Sequence, residues 1–228
     1  MIDRGVIYSI TGDKYSLVPF KHWEWCKKSF GSLKLYCPDL HVTLFTESMP
    51  IDDDPGFDDI VVVDNVIDGK ELHPWTFMTL ALLMSPYKYT ISLDADTKIH
   101  SSRILEIYNL LDRFDVVAAL TPAVINAVFE GLVVDYFWDD VPIAFSEYQL
   151  GFSGHKKNDI TNKCWEYMMD SMINVEPSQQ RWFRKYAYDH PELKVGPLPV
   201  QFNFRSSPVT SGKYYHQTVI EHHHGIWK

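Results

Sequence analysis

Two carboxylates lie two positions apart directly after an apolar run, in Tyr89-Thr-Ile-Ser-Leu-Asp94-Ala-Asp96-Thr-Lys-Ile. Alternate side chains of an extended segment share a face, so Asp94 and Asp96 are predicted to project together from a strand end. Paired carboxylates form a hard-oxygen site for Mg²⁺ or Mn²⁺, the ions that partner phosphate oxygens. In an open α/β sheet, ligands bind at the carboxyl ends of the strands. The pattern therefore predicts a site for a metal ion and a diphosphate.

A second match, Asp52-Asp-Asp54, shows that the Asp-x-Asp pattern alone is weak. It lies among Pro50, Pro55 and Gly56 and follows no apolar run, which is typical of an exposed acidic loop. The pair at 94 and 96 differs because a buried-strand pattern precedes it and a helical pattern follows it. A solvated strand end without a ligand is the alternative for that pair.

The elements that must position this pair alternate between strand and helix. Strands are predicted over 5–11, 41–46, 59–63, 115–120 and the run before Asp94, and helices over 15–30, 72–84 and 102–114. Beyond them, the pattern predicts a strand over 143–152, helices over 159–172 and 180–188, and an extended segment over 195–204. Such alternation predicts a single α/β domain over 1–228, with a mostly parallel central sheet and helices on both faces.

The two halves of the chain differ in composition. Residues 1 to about 120 have a nucleotide-binding layout without a G-x-G-x-x-G or G-x-x-x-x-G-K-[ST] loop, so phosphate would be held by metal and side chains. Residues from about 121 to 228 form a less regular half that is rich in aromatic and acidic side chains.

Overall composition excludes several classes of protein. The net charge of −9 argues against a nucleic-acid binder, because phosphate contacts need a basic surface. Cys26, Cys37 and Cys164 lack C-x-x-C spacing, which argues against a disulfide framework or a zinc ribbon and favours a reducing compartment. With no signal-peptide pattern and no apolar run of membrane-spanning length, a cytoplasmic location is expected.

Five segments follow one another in a distinctive order: Leu93–Thr97, Phe145–Phe152, Gln179–Phe183, Leu198–Asn203 and Ile220–Lys228. They resemble the DxD strand, the F-N-S-G-V segment, the Asp-Gln-aromatic segment, the L-P-x-x-[WYF]-N strand and the C-terminal H-x-x-G-x-x-K of GT-A glycosyltransferases. The resemblance is closest to the glycogenin and galactosyltransferase-like group, often called family 8.

This resemblance implies that Asp94, Asp96 and His222 ligate a divalent cation that bridges the diphosphate of a nucleotide sugar. Two oxygen ligands and one nitrogen suit Mn²⁺ in particular, with Mg²⁺ as the alternative. Among three consecutive histidines, the spacing to Gly225 selects His222; a solvated tail or a purification-tag remnant is the alternative for this segment. Gly225 and Lys228 would contact the diphosphate.

The resemblance also places the base of the nucleotide. Thr11 corresponds to a polar residue that lines the base pocket, and Tyr15 to an aromatic residue that can stack on the base. Of the other aromatic residues, Trp23, Trp25 and Trp165 are expected to pack in the core. His73 is expected to cap a helix or pack in the core, and Arg181 and Arg184 to face solvent.

Two departures from the family pattern leave the catalytic group open. The usual Asn of the N-x-G segment is Gln149, which could still hydrogen-bond a sugar hydroxyl. The Asp of the Asp-Gln pair is Gln179, which cannot ionise, while Gln180 keeps the amide. Chemistry assisted by the donor itself, or a base such as Asp140 with Asp139 and Glu147 as alternatives, would then act. Retention and inversion both stay open.

The predicted function is metal-dependent transfer of a sugar from a nucleoside-diphosphate sugar, with UDP favoured over GDP, to a hydroxyl of a glycan or glycoconjugate. No nucleic acid or membrane span is expected. One alternative is a sugar-nucleotide nucleotidyltransferase, although its glycine-rich N-terminal signature is missing from Ser9–Tyr15. The other is a non-catalytic module that binds nucleotide sugar or glycan.

Overall fold

A computed structural model describes residues 2–11, 21–48, 54–120, 127–129, 132–134, 141–142, 144–205 and 218–222. The helices of these residues are α1 (Lys21–Tyr36), α2 (Pro74–Met84), α3 (Glu106–Leu110), α4 (Asp159–Asn174) and α5 (Gln179–Asp189). The first strands are β1 (Ile2–Ile10), β2 (Val42–Thr46), β3 (Asp59–Val62), β4 (Val66–Ile67), β5 (Lys70–Glu71), β6 (Tyr87–Leu93) and β7 (Thr97–Ile99). They are followed by β8 (Val116–Leu120), β9 (Ala127–Phe129), β10 (Leu132–Val134), β11 (Tyr148–Lys156), β12 (Val195–Leu198), β13 (Phe204–Arg205) and β14 (Ile220–His222).

Within the described residues, a seven-stranded sheet in the order β12-β8-β11-β6-β1-β2-β3 organises the chain. Its neighbours are parallel except at β11, which runs antiparallel to both β6 and β8. Because β11 is reversed, the residues at its beginning lie beside the carboxyl end of β6, where Phe152 pairs with Leu93. The prediction of a mostly parallel sheet in one α/β domain is confirmed.

Helices cover both faces of this sheet. On one face, α1 buries Cys26, Phe30 and Leu33 and α3 buries Ile107 and Tyr108. The opposite face is covered by α2, α4 and α5, which bury the side chains of Phe77, Leu82, Trp165, Met168 and Phe183. Removing each such large side chain from water stabilises the fold by about 1.5–3 kcal/mol. Both faces of the sheet are therefore dry, as the near-continuous apolar strands require.

Two predicted elements differ from the structure. The helix predicted over 102–114 is a 3₁₀ turn at 102–105 followed by the short α3. The Ser101 hydroxyl caps the start of the turn. The carbonyl of Leu110 accepts hydrogen bonds from the amides of Arg113 and Phe114, which end the helix. The strand predicted over 143–152 begins only at Tyr148 and continues to Lys156, where pairing with β6 ends.

Arg184 is buried, so the expectation that it faces solvent is wrong. Its guanidinium donates from Nε to the Phe145 carbonyl at 3.0 Å and from Nη2 to the Pro142 carbonyl at 2.7 Å. These bonds attach the segment that enters β11 to the first half of α5. An arginine can be buried in this way because backbone carbonyls satisfy its donors.

Candidate metal centre and active site

Asp94, Asp96 and His222 bring their ligand atoms together at the carboxyl end of β6. The Nε2 atom of His222 lies 3.4 Å from Oδ2 of Asp94 and 3.1 Å from Oδ1 of Asp96. One potential ligand atom from each of the three residues falls within 4.8 Å of the others. The sequence analysis assigned the same three residues to a metal site from a resemblance. The structure brings His222 beside Asp96 although 125 residues separate the two in the sequence.

A turn, rather than a continuing strand, aims the two carboxylates. Strand β6 ends at Leu93, and the amide of Thr97 donates to the carbonyl of Asp94 at 3.2 Å to close the turn. The amide of Asp94 donates to the Gly151 carbonyl at 2.8 Å. The sequence analysis predicted that the two side chains converge because alternate residues of a strand share a face. They converge instead because both lie in a turn after the strand has ended.

A chain of buried hydroxyl groups stabilises this turn by hydrogen bonds. Thr97 Oγ1 donates to the carbonyl of Asp94 at 2.8 Å and contacts Ser29 Oγ at 2.9 Å, and Ser29 Oγ contacts the Tyr8 hydroxyl at 2.9 Å. Burial raises the pKa of Tyr8 well above its ordinary value, so its phenol keeps its proton. The turn is thereby attached to both β1 and α1, which limits its movement.

The strand that carries His222 pairs with the residues just beyond the turn. In the antiparallel ladder of β14 with β7, His222 lies opposite Thr97 and Ile220 opposite Ile99. A carboxylate–imidazole contact of 3.0 Å joins Glu221 of β14 to His100, the residue that follows β7. The backbone ladder thus delivers His222 to the carboxylates, while 223–228, including Gly225 and Lys228, lie outside the described residues.

Gly151 leaves room for the cluster. A Cβ atom built on Gly151 would lie 2.2 Å from Oδ2 of Asp94 and 2.9 Å from Cε1 of His222. Any side chain at this position would therefore displace Asp94 or His222. The sequence analysis marked Gly151 only as part of a family-like segment, and the closeness of its backbone to Asp94 and His222 is a feature that local patterns could not reveal.

Behind the imidazole, Asn203 and Gln149 form a buried polar chain. Nδ1 of His222 lies 3.1 Å from Oδ1 of Asn203, whose Nδ2 donates to Oε1 of Gln149 at 2.9 Å. Among the described residues, Nε2 of Gln149 has no hydrogen-bond partner. Gln149 was predicted as a catalytic residue, and the structure places its carboxamide behind His222, a candidate metal ligand.

A pocket of about 170 Å³ opens beside the carboxylates. It is lined by the end of β1, the first half of α1, the first turn of α2, and the turn that carries the carboxylates: Ser9, Ile10, Thr11, His22, Trp25, Pro74, Trp75, Met78, Asp94, Ala95 and Asp96. Thr11, predicted at the base pocket, is buried, and among the described residues its hydroxyl has no partner. Tyr15, the other predicted base contact, lies outside the described residues.

Trp75 forms the exposed side of this pocket, with 54% of its surface accessible. His73 caps α2 by accepting a hydrogen bond from the Trp75 amide at Nδ1, 3.3 Å away, and its ring lies 4.8 Å from the Trp75 indole. Desolvation lowers the pKa of His73, which favours the neutral form that can accept this bond. The capping role predicted for His73 is confirmed, and Trp75 is a candidate site residue that the sequence analysis missed.

The remaining predicted residues lie on α5, in the acidic loop or outside the described part of the chain. Gln179 is buried and donates to Thr79 Oγ1 at 3.1 Å, so it joins α5 to α2. Gln180 is half-buried at the second position of α5. Asp140 lies outside the described residues. In the acidic loop, Asp54 is exposed and accepts from the amides of Gly56 and Phe57, as a turn residue does.

A divalent cation fits the residues present. Two carboxylates and one imidazole, with ligand atoms within 4.8 Å, make a donor set that Mn²⁺ accepts. Gly151 provides the space that a bulkier residue would remove. Among the described residues, these three side chains form the one group of three or more His, Cys, Asp or Glu residues whose ligand atoms lie close enough together to hold a metal ion.

Comparison with known proteins adds the fold but no close relative. The sequence matches no family model, and no curated protein matches it at a significant level. The structure is similar to that of mouse xyloside xylosyltransferase 1 in its apo form, with a TM-score of 0.59 and 11% identity, covering 98% of both chains.

Two further glycosyltransferase structures give the same result. The galactosyltransferase LgtC, in complex with donor and acceptor sugar analogs, has a TM-score of 0.58 and 11% identity, covering 96% of this chain and 87% of that one. GlyE of Streptococcus pneumoniae has a TM-score of 0.59 and 13% identity, covering 96% of this chain and 55% of that one. The chain therefore has the fold of the GT-A glycosyltransferases.

None of the helices in the described residues combines the length and the apolar character that crossing a membrane requires.

Proposed function

We propose that this protein is a metal-dependent glycosyltransferase that moves a sugar from a nucleoside-diphosphate sugar to a hydroxyl of a glycan or glycoconjugate. The observation that carries the proposal is the convergence of Asp94, Asp96 and His222 at the carboxyl end of β6, beside an aromatic pocket. Similarity in fold to a xylosyltransferase and a galactosyltransferase supports the same class of reaction. UDP is the favoured donor nucleotide.

Each proposed role follows from the chemistry of the side chain. Asp94, Asp96 and His222 would hold Mn²⁺ or Mg²⁺, which acts as a Lewis acid on the departing nucleoside diphosphate. Thr11 and Trp75 line the pocket next to the carboxylates, where the buried hydroxyl and the exposed indole suit a nucleoside. From the sequence resemblance, Lys228 would add a positive charge to the diphosphate, with Gly225 allowing a close backbone approach.

The reacting sugar would be oriented by amide groups. Gln180 and the amino group of Gln149 are proposed to hydrogen-bond the donor sugar, and Asp140 to accept the proton of the acceptor hydroxyl. An active-site mutant of LgtC replaces a glutamine by glutamate, so in that protein a glutamine belongs to the active site. The second half of the chain is proposed to bind the acceptor.

A panel of UDP- and GDP-sugars, each with Mn²⁺ or with EDTA, tests the proposal by thermal shift. A ligand at about 100 times its Kd stabilises the folded state by about 2.7 kcal/mol, which raises the Tm of a domain of this size by about 5–10 °C. We expect such a shift for one donor with Mn²⁺ and its loss with EDTA. Identical melting curves under all conditions would refute the metal-diphosphate site.

The structure of Gln179 gives a reason to keep the non-catalytic alternative in the same experiment. In the resemblance to family 8, Gln179 stands where an acidic residue is usual, and a glutamine cannot ionise. Its side chain donates a hydrogen bond to Thr79 of α2. Donor hydrolysis and transfer to glycan acceptors should therefore be measured with the donor that shifts the Tm. Product release confirms an enzyme, whereas Mn²⁺-dependent binding without any turnover identifies a binding module.

A further inference from the structure

The imidazole of His222 is supported by two carboxamides from distant parts of the chain. Asn203 lies 3.1 Å from Nδ1 of His222, and Gln149 lies 2.9 Å from Asn203. All three side chains are buried, with exposed fractions of 6% for His222, 4% for Asn203 and 3% for Gln149. Buried polar side chains far apart in sequence are costly unless they are hydrogen-bonded, so this chain restricts where each group can lie.

The backbone around Asn203 is fixed as well. The amide of Asn203 donates to the Val200 carbonyl at 3.1 Å, which closes the 3₁₀ turn at 200–202. The next residues form β13, whose Arg205 pairs with His222 in the parallel ladder with β14. The backbone pairing of β13 with β14 therefore fixes the distance between the Asn203 carboxamide and the His222 imidazole.

Metal binding determines the direction of the hydrogen bonds. The Nε2 atom of His222 faces both carboxylates, so it is the nitrogen that must offer its lone pair to a cation. The proton of the neutral ring must then be on Nδ1, and Oδ1 of Asn203 must accept it. Nδ2 of Asn203 consequently donates to Oε1 of Gln149. This direction leaves the amino group of Gln149 as the end of the chain, which is the atom without a partner among the described residues.

We propose that Asn203, backed by Gln149, is a positioning residue that fixes the tautomer and the ring orientation of His222 for metal binding. The inference rests on the proposed metal site. A metal-ligating histidine whose other nitrogen is held by a carbonyl or carboxyl oxygen is a better ligand because its orientation and basicity are set in advance. Asn203 would thus support the metal centre through His222 without being a ligand itself.

Substitution of Asn203 separates this role from simple packing. Removal of such a partner weakens metal affinity by about 10–100-fold, and we expect this loss for Asn203→Leu when free Mn²⁺ is counted by electron paramagnetic resonance. Asn203→Asp keeps an oxygen for the Nδ1 proton and should bind Mn²⁺ at least as well as the wild type. Because the added charge itself favours cations, Gln149→Met is the second arm. It adds no charge, frees Asn203 to rotate, and should weaken binding by an intermediate factor.

Gln179→Met is the matched control. It also removes a buried glutamine that makes one side-chain hydrogen bond, to Thr79, but it lies outside the chain that ends at His222. We expect it to lower the free energy of unfolding as Gln149→Met does and to leave Mn²⁺ affinity unchanged. If Asn203→Leu does not fold, Asn203→Ala and Gln149→Met carry the comparison.

A direct readout of the tautomer completes the test. In the protein loaded with diamagnetic Zn²⁺, ¹⁵N NMR should show a protonated, exchange-protected Nδ1 on His222 in the wild type and in Asn203→Asp. This proton should lose its protection in Asn203→Leu. Wild-type affinity and protection in Asn203→Leu would overturn the proposal, as would equal losses of affinity in all variants, including Gln179→Met. Failure of the wild type itself to bind Mn²⁺ would instead remove the metal site and the proposed function.

Discussion

Replacement of Gly151 by alanine should abolish metal binding while leaving the fold in place. The added Cβ would lie 2.2 Å from Oδ2 of Asp94, whereas ordinary contact begins at about 3.4 Å, so the oxygen must retreat by about 1.2 Å. Metal–ligand distances tolerate only about 0.2 Å. The same Cβ would lie 2.9 Å from Cε1 of His222, so two of the three ligands are disturbed together.

The magnitude follows from the loss of a direct ligand. Because removal of an outer partner already weakens metal affinity by about 10–100-fold, displacement of Asp94 should cost more than about 100-fold. That factor corresponds to about 2.8 kcal/mol of binding free energy. The free energy of unfolding should change by less than about 1 kcal/mol. The φ angle of Gly151 is not positive, so alanine fits the backbone, and the group that must move is the end of a side chain.

Gly154→Ala, three positions along the same strand, is the control with the opposite expectation. Its Cβ would lie 2.5 Å from Cγ2 of Ile107 and 2.9 Å from Cγ2 of Val117, so it overpacks the core and should cost about 1–3 kcal/mol of stability. Its Mn²⁺ affinity should remain that of the wild type. Calorimetry with Mn²⁺ and urea unfolding measure both quantities. Unchanged Mn²⁺ affinity in Gly151→Ala would show that the three ligands do not form the site.

Three further predictions concern the metal ligands, the pocket and the core. Asp96→Ala should abolish sugar transfer with the fold intact, and Asp52→Ala with Asp54→Ala should not; an inactive loop variant would place the metal site elsewhere. Trp75→Ala should weaken nucleotide binding by about 1–3 kcal/mol if the indole stacks on a base, without loss of stability because Trp75 is 54% exposed, and equal Kd values by calorimetry would exclude stacking. His155 is fully buried, which lowers its pKa to about 3, so below its unfolded pKa of about 6.5 only the unfolded chain takes up this proton. The folded state should therefore lose about 2 kcal/mol between pH 7 and pH 5 in urea unfolding, and His155→Gln should remove that part of the slope; an identical slope in both proteins would contradict the assignment.

Much of the fold follows from local sequence patterns. The apolar runs of β1, β2, β6 and β8 are buried between helices on both faces of the sheet, and most of the apolar helix α2 is buried as well. Their composition alone therefore indicates where they lie. Short elements were not predicted, among them β7 and β14. Each has three residues, too few to show a period, and each forms because the other supplies its hydrogen bonds.

The same distinction applies to the candidate site. Asp94, Asp96 and His222 could be identified because their residue types and order resemble a known pattern. The reason that they converge could not be predicted from the sequence. The turn at 94–97 depends on the Gly151 carbonyl and on hydroxyl groups from β1 and α1. Arg184 was misjudged for a related reason: its helical spacing looks solvent-facing, and only the carbonyls at 142 and 145 make its burial possible.

By itself, the sequence determined most of the longer strands and helices and which residues carry ligand chemistry, because hydrophobic period and residue type are local properties. Only the tertiary structure decided that Gly151 must lack a side chain and that Asn203 and Gln149 stand behind His222. Those contacts join residues 54 and 19 positions apart, and their energies exist only once the sheet has brought the segments together. A glycine needed for space or an asparagine needed to orient a ring looks, in sequence, like any other glycine or asparagine.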